Sequence, residues 1–180
     1  GVWEDGTTRV LYISPLKALN ADIERNLAEP LAGIAEAFRA AGGELPRIRV
    51  AMRSGDTPPA ERQRIVRQRP EILITTPESL NLLVNSKAGP ALFAGLRTVI
   101  LDEIHAVAAS KRGTHLITAV DRLVLFAGEF QRIALSATVR PLDRIASWVG
   151  GFRLERGADD LPRYVRRSVA VAESRPPKRY

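Results

Sequence analysis

Five short strand-like runs, at Val10–Ser14, Ile48–Met52, Ile72–Thr75, Thr98–Leu101 and Ile133–Leu135, punctuate the chain, and helix-period patterns separate most of them. Strands that alternate with helices lie parallel and are joined by right-handed crossovers. The expected fold class is therefore α/β, a parallel β-sheet with helices on both faces. The continuous apolar run Thr98-Val99-Ile100-Leu101 predicts a strand covered on both sides.

The helical segments have legible ends. The first runs from Leu16 towards Ala40 and carries Pro30, which lacks a backbone donor and is expected to end or kink it. A second opens at Asp56-Thr57-Pro58, with a capping side chain ahead of the proline, and continues through ERQRIVRQR. A third starts at Thr76-Pro77 with Thr76 as cap. A fourth spans Thr114 to Phe126 on Leu116, Ala119, Val120, Leu123 and Val124. The last follows Pro141 through Trp148 and stops at Gly150-Gly151. Val165–Val171 reads as one more strand, and the final ESRPPKRY as a linker. Residues 1–151 are expected to form one domain, with 152–180 its end and a basic connector.

Composition narrows the chemistry. With no cysteine, disulfides, thiolate zinc sites and cysteine nucleophiles are excluded, and two histidines are too few for a histidine metal cage. A metal here would be a hard ion held by oxygen, with Mg²⁺ carried by nucleotide phosphates the natural candidate. No apolar run approaches the ~18 residues of a membrane span. The opening GVWEDGTTRV lacks the pattern of a signal peptide, so no membrane partner and a cytoplasmic location are expected. A formal charge of +7 favours a polyanionic partner, although residues 152–180 hold eight Arg and Lys against four Asp and Glu, so much of the excess lies in the tail. Arginine outnumbers lysine 23 to 4, which we read as codon bias. The basic run Arg62, Arg64, Arg67 and Arg69 reads as a solvated helix face, and Lys111-Arg112 as a loop.

Residues with chemistry to offer collect at strand ends. RTVILDEIH (Arg97 to His105) ends an apolar strand in Asp102 and Glu103, at the edge of an open α/β sheet where ligands bind. Alone, such a pair is equally well a helix cap. Its neighbours decide otherwise: LYISPLKAL (Leu11 to Leu19), ITTPESL (Ile74 to Leu80) and LSATVRP (Leu135 to Pro141) stand in order around it. Together they resemble motifs Ia, Ib, II and III of a superfamily 2 helicase. The wider wording, SPLKALNADIERNL, SGDTP, ILITTPESLNLL, VILDEIHAVAASKRGTHL and RIALSATVRP, resembles the large helicase-related (Lhr-type) family. This resemblance covers Val10 to Gly151 and implies the first RecA-like P-loop NTPase domain of a DEAD/DEAH-box ATP-dependent helicase, truncated at its N-terminus.

The resemblance also implies roles. ATP would be the nucleotide, Asp102 would hold Mg²⁺ through water, Glu103 would be the general base, and His105 would bridge to the next strand. Ser136 and Thr138, flanking Ala137, would couple the nucleotide to nucleic acid by hydrogen bonds to the acid and histidine of the adjacent strand end. Three turns, each after a predicted strand, offer helix N-termini to phosphates: Pro15 and Lys17; Arg53, Ser54 and Gly55; and Thr76, Pro77, Glu78 and Ser79. They would form a track for one strand, gripping backbone rather than bases. Ser54 stands where related sequences carry Thr and keeps the hydroxyl. The implied partners are single-stranded or tailed duplex DNA, with 3′ to 5′ translocation, and a second RecA-like domain of the same chain that supplies arginines. The sequence holds no GxxxxGK[ST] loop, and its one Met is Met52. The chain is accordingly expected to be a piece of a longer protein, with negligible ATPase and no unwinding alone. Two other readings stand beside this one: an RNA helicase of the DEAD/DEAH-box group, opposed by the DEIH and KRGTHL wording, and a non-catalytic nucleic-acid-binding remnant, opposed by the intact acid pair and SAT.

Overall fold

The computed structural model describes residues 6–44, 46, 48–137, 139–157 and 159–173, with the side chains of residues 17–21 outside that set. Five strands, β1 (Val10–Ile13), β2 (Val50–Arg53), β3 (Ile72–Thr75), β4 (Thr98–Leu101) and β5 (Gln131–Ala134), form one sheet in the order β2-β3-β1-β4-β5. Every pairing in it is parallel, as the alternating sequence pattern requires. The step from β1 to β2 runs one way across the sheet and carries α1 (Lys17–Ala40). The later steps run the other way through α2 (Pro59–Gln68), α3 (Pro77–Val84), α4 (Gly89–Phe93) and α5 (Lys111–Ala127). With right-handed crossovers this reversal puts α1 on one face and α2 to α5 on the other.

The core lies under the second group. Leu11, Ile13, Leu73, Leu80, Leu83, Phe93, Val99, Leu101, Leu116, Val120 and Leu123 are at zero or near-zero exposure. Each such side chain removed from water contributes about 1.5–3 kcal/mol. The opposite face of β4 differs from the sequence expectation, because Thr98 and Ile100 stay half-exposed while Val99 and Leu101 are buried. Tyr12, Ile100 and Ile133 share that thinner face, being register partners across β1, β4 and β5.

Other local expectations are corrected. The helix α1 continues through Pro30; the carbonyl of Asn26 that the proline leaves without a donor sits on an exposed stretch, where water can serve it. Thr57 does not cap α2, whose N-cap is Pro58; its hydroxyl accepts from Ser54 N at 2.9 Å instead. The fourth helix begins at Lys111, since Ser110 accepts from Gly113 N at 3.2 Å and caps it, so Lys111-Arg112 is helix and not loop. Thr76 caps α3 as expected, accepting from Ser79 N at 3.4 Å.

The described residues fall into two compact units, one ending at Ala137 and one made by the rest of the chain. That division comes earlier than the boundary at 151, because α6 (Leu142–Gly150) is bonded to the segment C-terminal to it: Arg167 donates to the Gly150 carbonyl at 2.9 Å. In place of a single strand at 165–171 the second unit holds an antiparallel pair, β6 (Phe152–Arg156) and β7 (Pro162–Arg166).

Candidate functional site

The parallel register aligns the carboxyl ends of all five strands, with Arg53 beside Thr75, Thr75 beside Ile13, Ile13 beside Leu101 and Leu101 beside Ala134. The turns at 14–17, 54–57, 76–79, 102–105 and 135–137 therefore share one edge of the sheet. The described residues proposed from the sequence as catalytic, coupling or nucleic-acid-binding all lie at that edge.

At its centre Asp102 follows β4 and points, by the two-residue period, to the same face as Ile100 and Tyr12. Its backbone N donates to the Ile13 carbonyl at 2.9 Å. Its Oδ2 accepts from the Tyr12 hydroxyl at 2.6 Å, and its Oδ1 from Glu103 N at 2.9 Å. Each oxygen keeps a lone pair, and the residue is only half-buried. Among the described residues no three His, Cys, Asp or Glu side chains are grouped to hold a metal. The donor set thus fits a hard, largely hydrated cation that takes its remaining ligands elsewhere. Tyr12 was not singled out from the sequence. Burial, then the hydrogen bond to Asp102, then the Asp102 and Glu103 charges raise its pKa above the ordinary tyrosine value.

Glu103 has φ 49° and ψ 40°, a left-handed backbone uncommon for a residue with a side chain. The chain turns sharply there into a 3₁₀ turn over Ile104–Ala106. Nδ1 of His105 then lies 3.1 Å from Glu103 Oε2, so His105 pairs with its own loop. Neither Asp102, Glu103 nor His105 is hydrogen-bonded to the exposed Ser136. The link to the next strand is made by backbone: Leu135 N donates to the Leu101 carbonyl at 2.8 Å, and Ile104 N to the Leu135 carbonyl at 3.1 Å. Thr138 and the Lys17 side chain lie outside the described residues.

The three phosphate-friendly turns differ in what they present. Around Ser54 and Gly55 the loop is laced by Arg62, whose Nε donates to the Thr57 carbonyl at 2.7 Å and whose Nη2 donates to the Gly55 carbonyl at 2.6 Å. Arg62 is thereby a fastener and not part of a merely solvated face. Arg53 is half-buried and has no carboxylate partner among the described residues; burial and the nearby Arg62 charge lower its pKa. Thr76, Pro77 and Ser79 are buried, so only Glu78 of that turn reaches the surface. Glu78 is held by Arg112 at 2.5 and 3.2 Å, and that hydrogen bonding lowers its pKa. Pro15 is buried, and its carbonyl accepts from Arg112 at 2.9 Å.

The family model for DEAD/DEAH box helicases matches residues 2–145. The chain belongs to the DEAD/DEAH box helicase family. Within the family its likeness is to Lhr helicases. It is 51% identical over 143 residues to the ATP-dependent helicase Lhr-Core protein 2 of Thermococcus barophilus, covering 79% of this chain and 17% of that protein. It is 52% identical over 148 residues to the Lhr helicase/uracil glycosylase of Escherichia coli, covering 82% and 10%. The solved structure of the Mycobacterium smegmatis helicase Lhr bound to ssDNA and AMP-PNP superposes with a TM-score of 0.77 at 50% identity, covering 81% of this chain and 19% of that one. The DEAD-box helicase Mss116, at 17% identity and a TM-score of 0.64, shares the fold. The chain thus spans a fifth or less of the length of the Lhr relatives.

Proposed function

We propose that this chain supplies the acid pair and half of the strand track of an ATP-dependent DNA helicase of the Lhr type. The observation that carries the proposal is the alignment of the acid pair and the three strand-to-helix turns along one sheet edge. A relative at 50% identity, solved with ssDNA and AMP-PNP, supports both ligands. A Mg²⁺ ion would neutralise phosphate charge at Asp102. The rest of the work falls to this chain's side chains. Glu103 would take the proton of the attacking water, with His105 orienting its carboxylate from 3.1 Å. Asp102 would be aimed by Tyr12.

On the nucleic-acid side, Arg53 is the leading phosphate contact, with Lys17 and the backbone N–H groups at Gly55 and Glu78 beside it, while Ser54 N and Ser79 N, engaged by Thr57 Oγ1 and Thr76 Oγ1, hold their turns in shape. Pro15, Thr76 and Pro77 would shape the turns without touching phosphate. Ser136 and Thr138 would couple the two sites. A second RecA-like domain would complete both, and translocation would run 3′ to 5′ in the cytoplasm. The deciding experiment is the Glu103→Gln variant of the full-length protein. It should bind nucleotide and lose about 10²–10⁴-fold in strand-stimulated ATP turnover, the usual contribution of a positioned base. Wild-type turnover in that variant would refute the acid-pair assignment.

A further inference from the structure

We infer that Arg112 is a positioning residue that fastens the first and third phosphate turns into one strand-binding surface and ties both to the helix that follows the acid pair. The inference rests on the nucleic-acid reading above. Arg112 occupies the first turn of α5; its Nε and Nη2 donate to the Glu78 carboxylate, and Nη2 also donates to the Pro15 carbonyl at 2.9 Å. One guanidinium therefore joins the exit of β1, the start of α3 and the start of α5. A planar fork with several donors can hold a carboxylate and a carbonyl together, which a lysine ammonium does poorly.

The placement of Arg112 is fixed from behind. Any Cβ on the adjoining Gly113 would come within 2.2 Å of the Val107 carbonyl oxygen, so the start of α5 sits directly on the turn that leaves the acid pair. Further along the same two helices, Asn81 donates to the His115 carbonyl at 3.3 Å and Arg122 to Asn85 Oδ1 at 2.7 Å. This polar seam makes α3 and α5 one body with Arg112 at its tip. Glu78, charged and already engaged, serves as an anchor; a free carboxylate there would repel a phosphate. Both partners of this ion pair are about half exposed, so its loss should matter little for folding and its effect should appear in binding.

The test is anisotropy titration of labelled oligo(dT) with the full-length protein across a range of salt concentrations. Arg112→Ala should weaken strand affinity about 3–30-fold. The log–log salt slope should stay unchanged, because no phosphate contact is removed. Arg112→Lys, which keeps the charge and guards against a folding defect, should rescue in part. Adding Glu78→Ala to Arg112→Ala should cost nothing further and should recover the part of the loss caused by the freed carboxylate, since the two residues act through one contact. Unchanged affinity in Arg112→Ala would overturn the inference. So would a slope shallower by about 0.7, which would make Arg112 itself a phosphate ligand. Complete rescue by lysine would overturn the two-acceptor fork. Failure of the wild type to bind oligo(dT) would instead refute the nucleic-acid reading, and the strut with it.

Discussion

The Tyr12 hydroxyl donates to Asp102 across the β1–β4 junction at 2.6 Å. Tyr12 and Ile100 are register partners and Asp102 lies two residues beyond Ile100, so the bond follows from parallel pairing and side-chain alternation. It gives the acid a fixed direction on the thinly covered face of the sheet.

Tyr12→Phe removes that donor while keeping the ring. In the full-length protein it should weaken Mg²⁺-dependent nucleotide binding about 10-fold, a typical cost when a partner of a metal-holding side chain is lost. Asp102→Asn should weaken it further. Calorimetric titration of ADP with and without Mg²⁺ measures both; affinity equal to wild type in Tyr12→Phe would show that Asp102 needs no such support.

Glu71 tests stability at the other edge of the sheet. It is fully buried, yet hydrogen bonds from Arg49 at 2.7 and 3.1 Å, from Arg49 N at 2.7 Å and from Gly6 N at 3.0 Å surround it. Burial pushes its pKa up, and these bonds, Arg49 foremost, outweigh that and bring it down to about 2. A depressed folded pKa means stability that is present above the unfolded value of about 4.3 and lost as pH falls towards 2. Glu71→Ala should destabilise by about 3–5 kcal/mol at neutral pH, the cost of orphaning a buried partner, and should flatten this acid limb. Thermal melts at pH 7 report the first effect, and melts at a series of pH values from about 4.5 down to about 2.5 report the second.

Arg53→Ala should make the log–log salt slope of single-strand binding shallower by about 0.7, because it removes one cation from the track. Binding should weaken alike for oligonucleotides of different sequence. A slope unaltered by this change would move the contact away from Arg53.

Replacing Ser136 and Thr138 together by Ala should leave strand-stimulated ATPase largely intact and depress unwinding. The backbone bonds through Leu135 already hold this loop to the acid turn, so the hydroxyls are not needed to fasten it. Comparing ATP consumed with duplex separated in one reaction checks it; a proportional fall in both would point to a purely structural loop.

The sheet was legible because β1, β3 and β4 are compact apolar runs rich in β-branched residues and followed by turn signals, and the acid pair because Asp102-Glu103 breaks such a run abruptly; β2 and β5, with one β-branched residue each, start two residues away from the runs at Ile48–Met52 and Ile133–Leu135. Phe152–Arg156 escaped notice because FRLER alternates apolar and charged residues over too short a span, and its strand is exposed. The five-residue α4 is too brief for a helical period. The start of α5 was hidden because Ser110-Lys111-Arg112-Gly113 reads as a loop until the Ser110 cap is seen. Tyr12 and Arg112 act through partners 90, 34 and 97 residues away, and no local pattern encodes such a meeting.

The left-handed backbone at Glu103 sets folding and function against each other at one codon. A side chain costs about 1 kcal/mol in that conformation, whereas glycine adopts it freely. A library selected for heat resistance alone should therefore drift towards Glu103→Gly, and the survivors should be sturdier proteins that no longer turn over ATP. Selection for activity should push the same position back; of Arg69, Glu103 and Asp160, the described non-glycine residues with positive φ, Glu103 is the one that stands at the proposed acid pair.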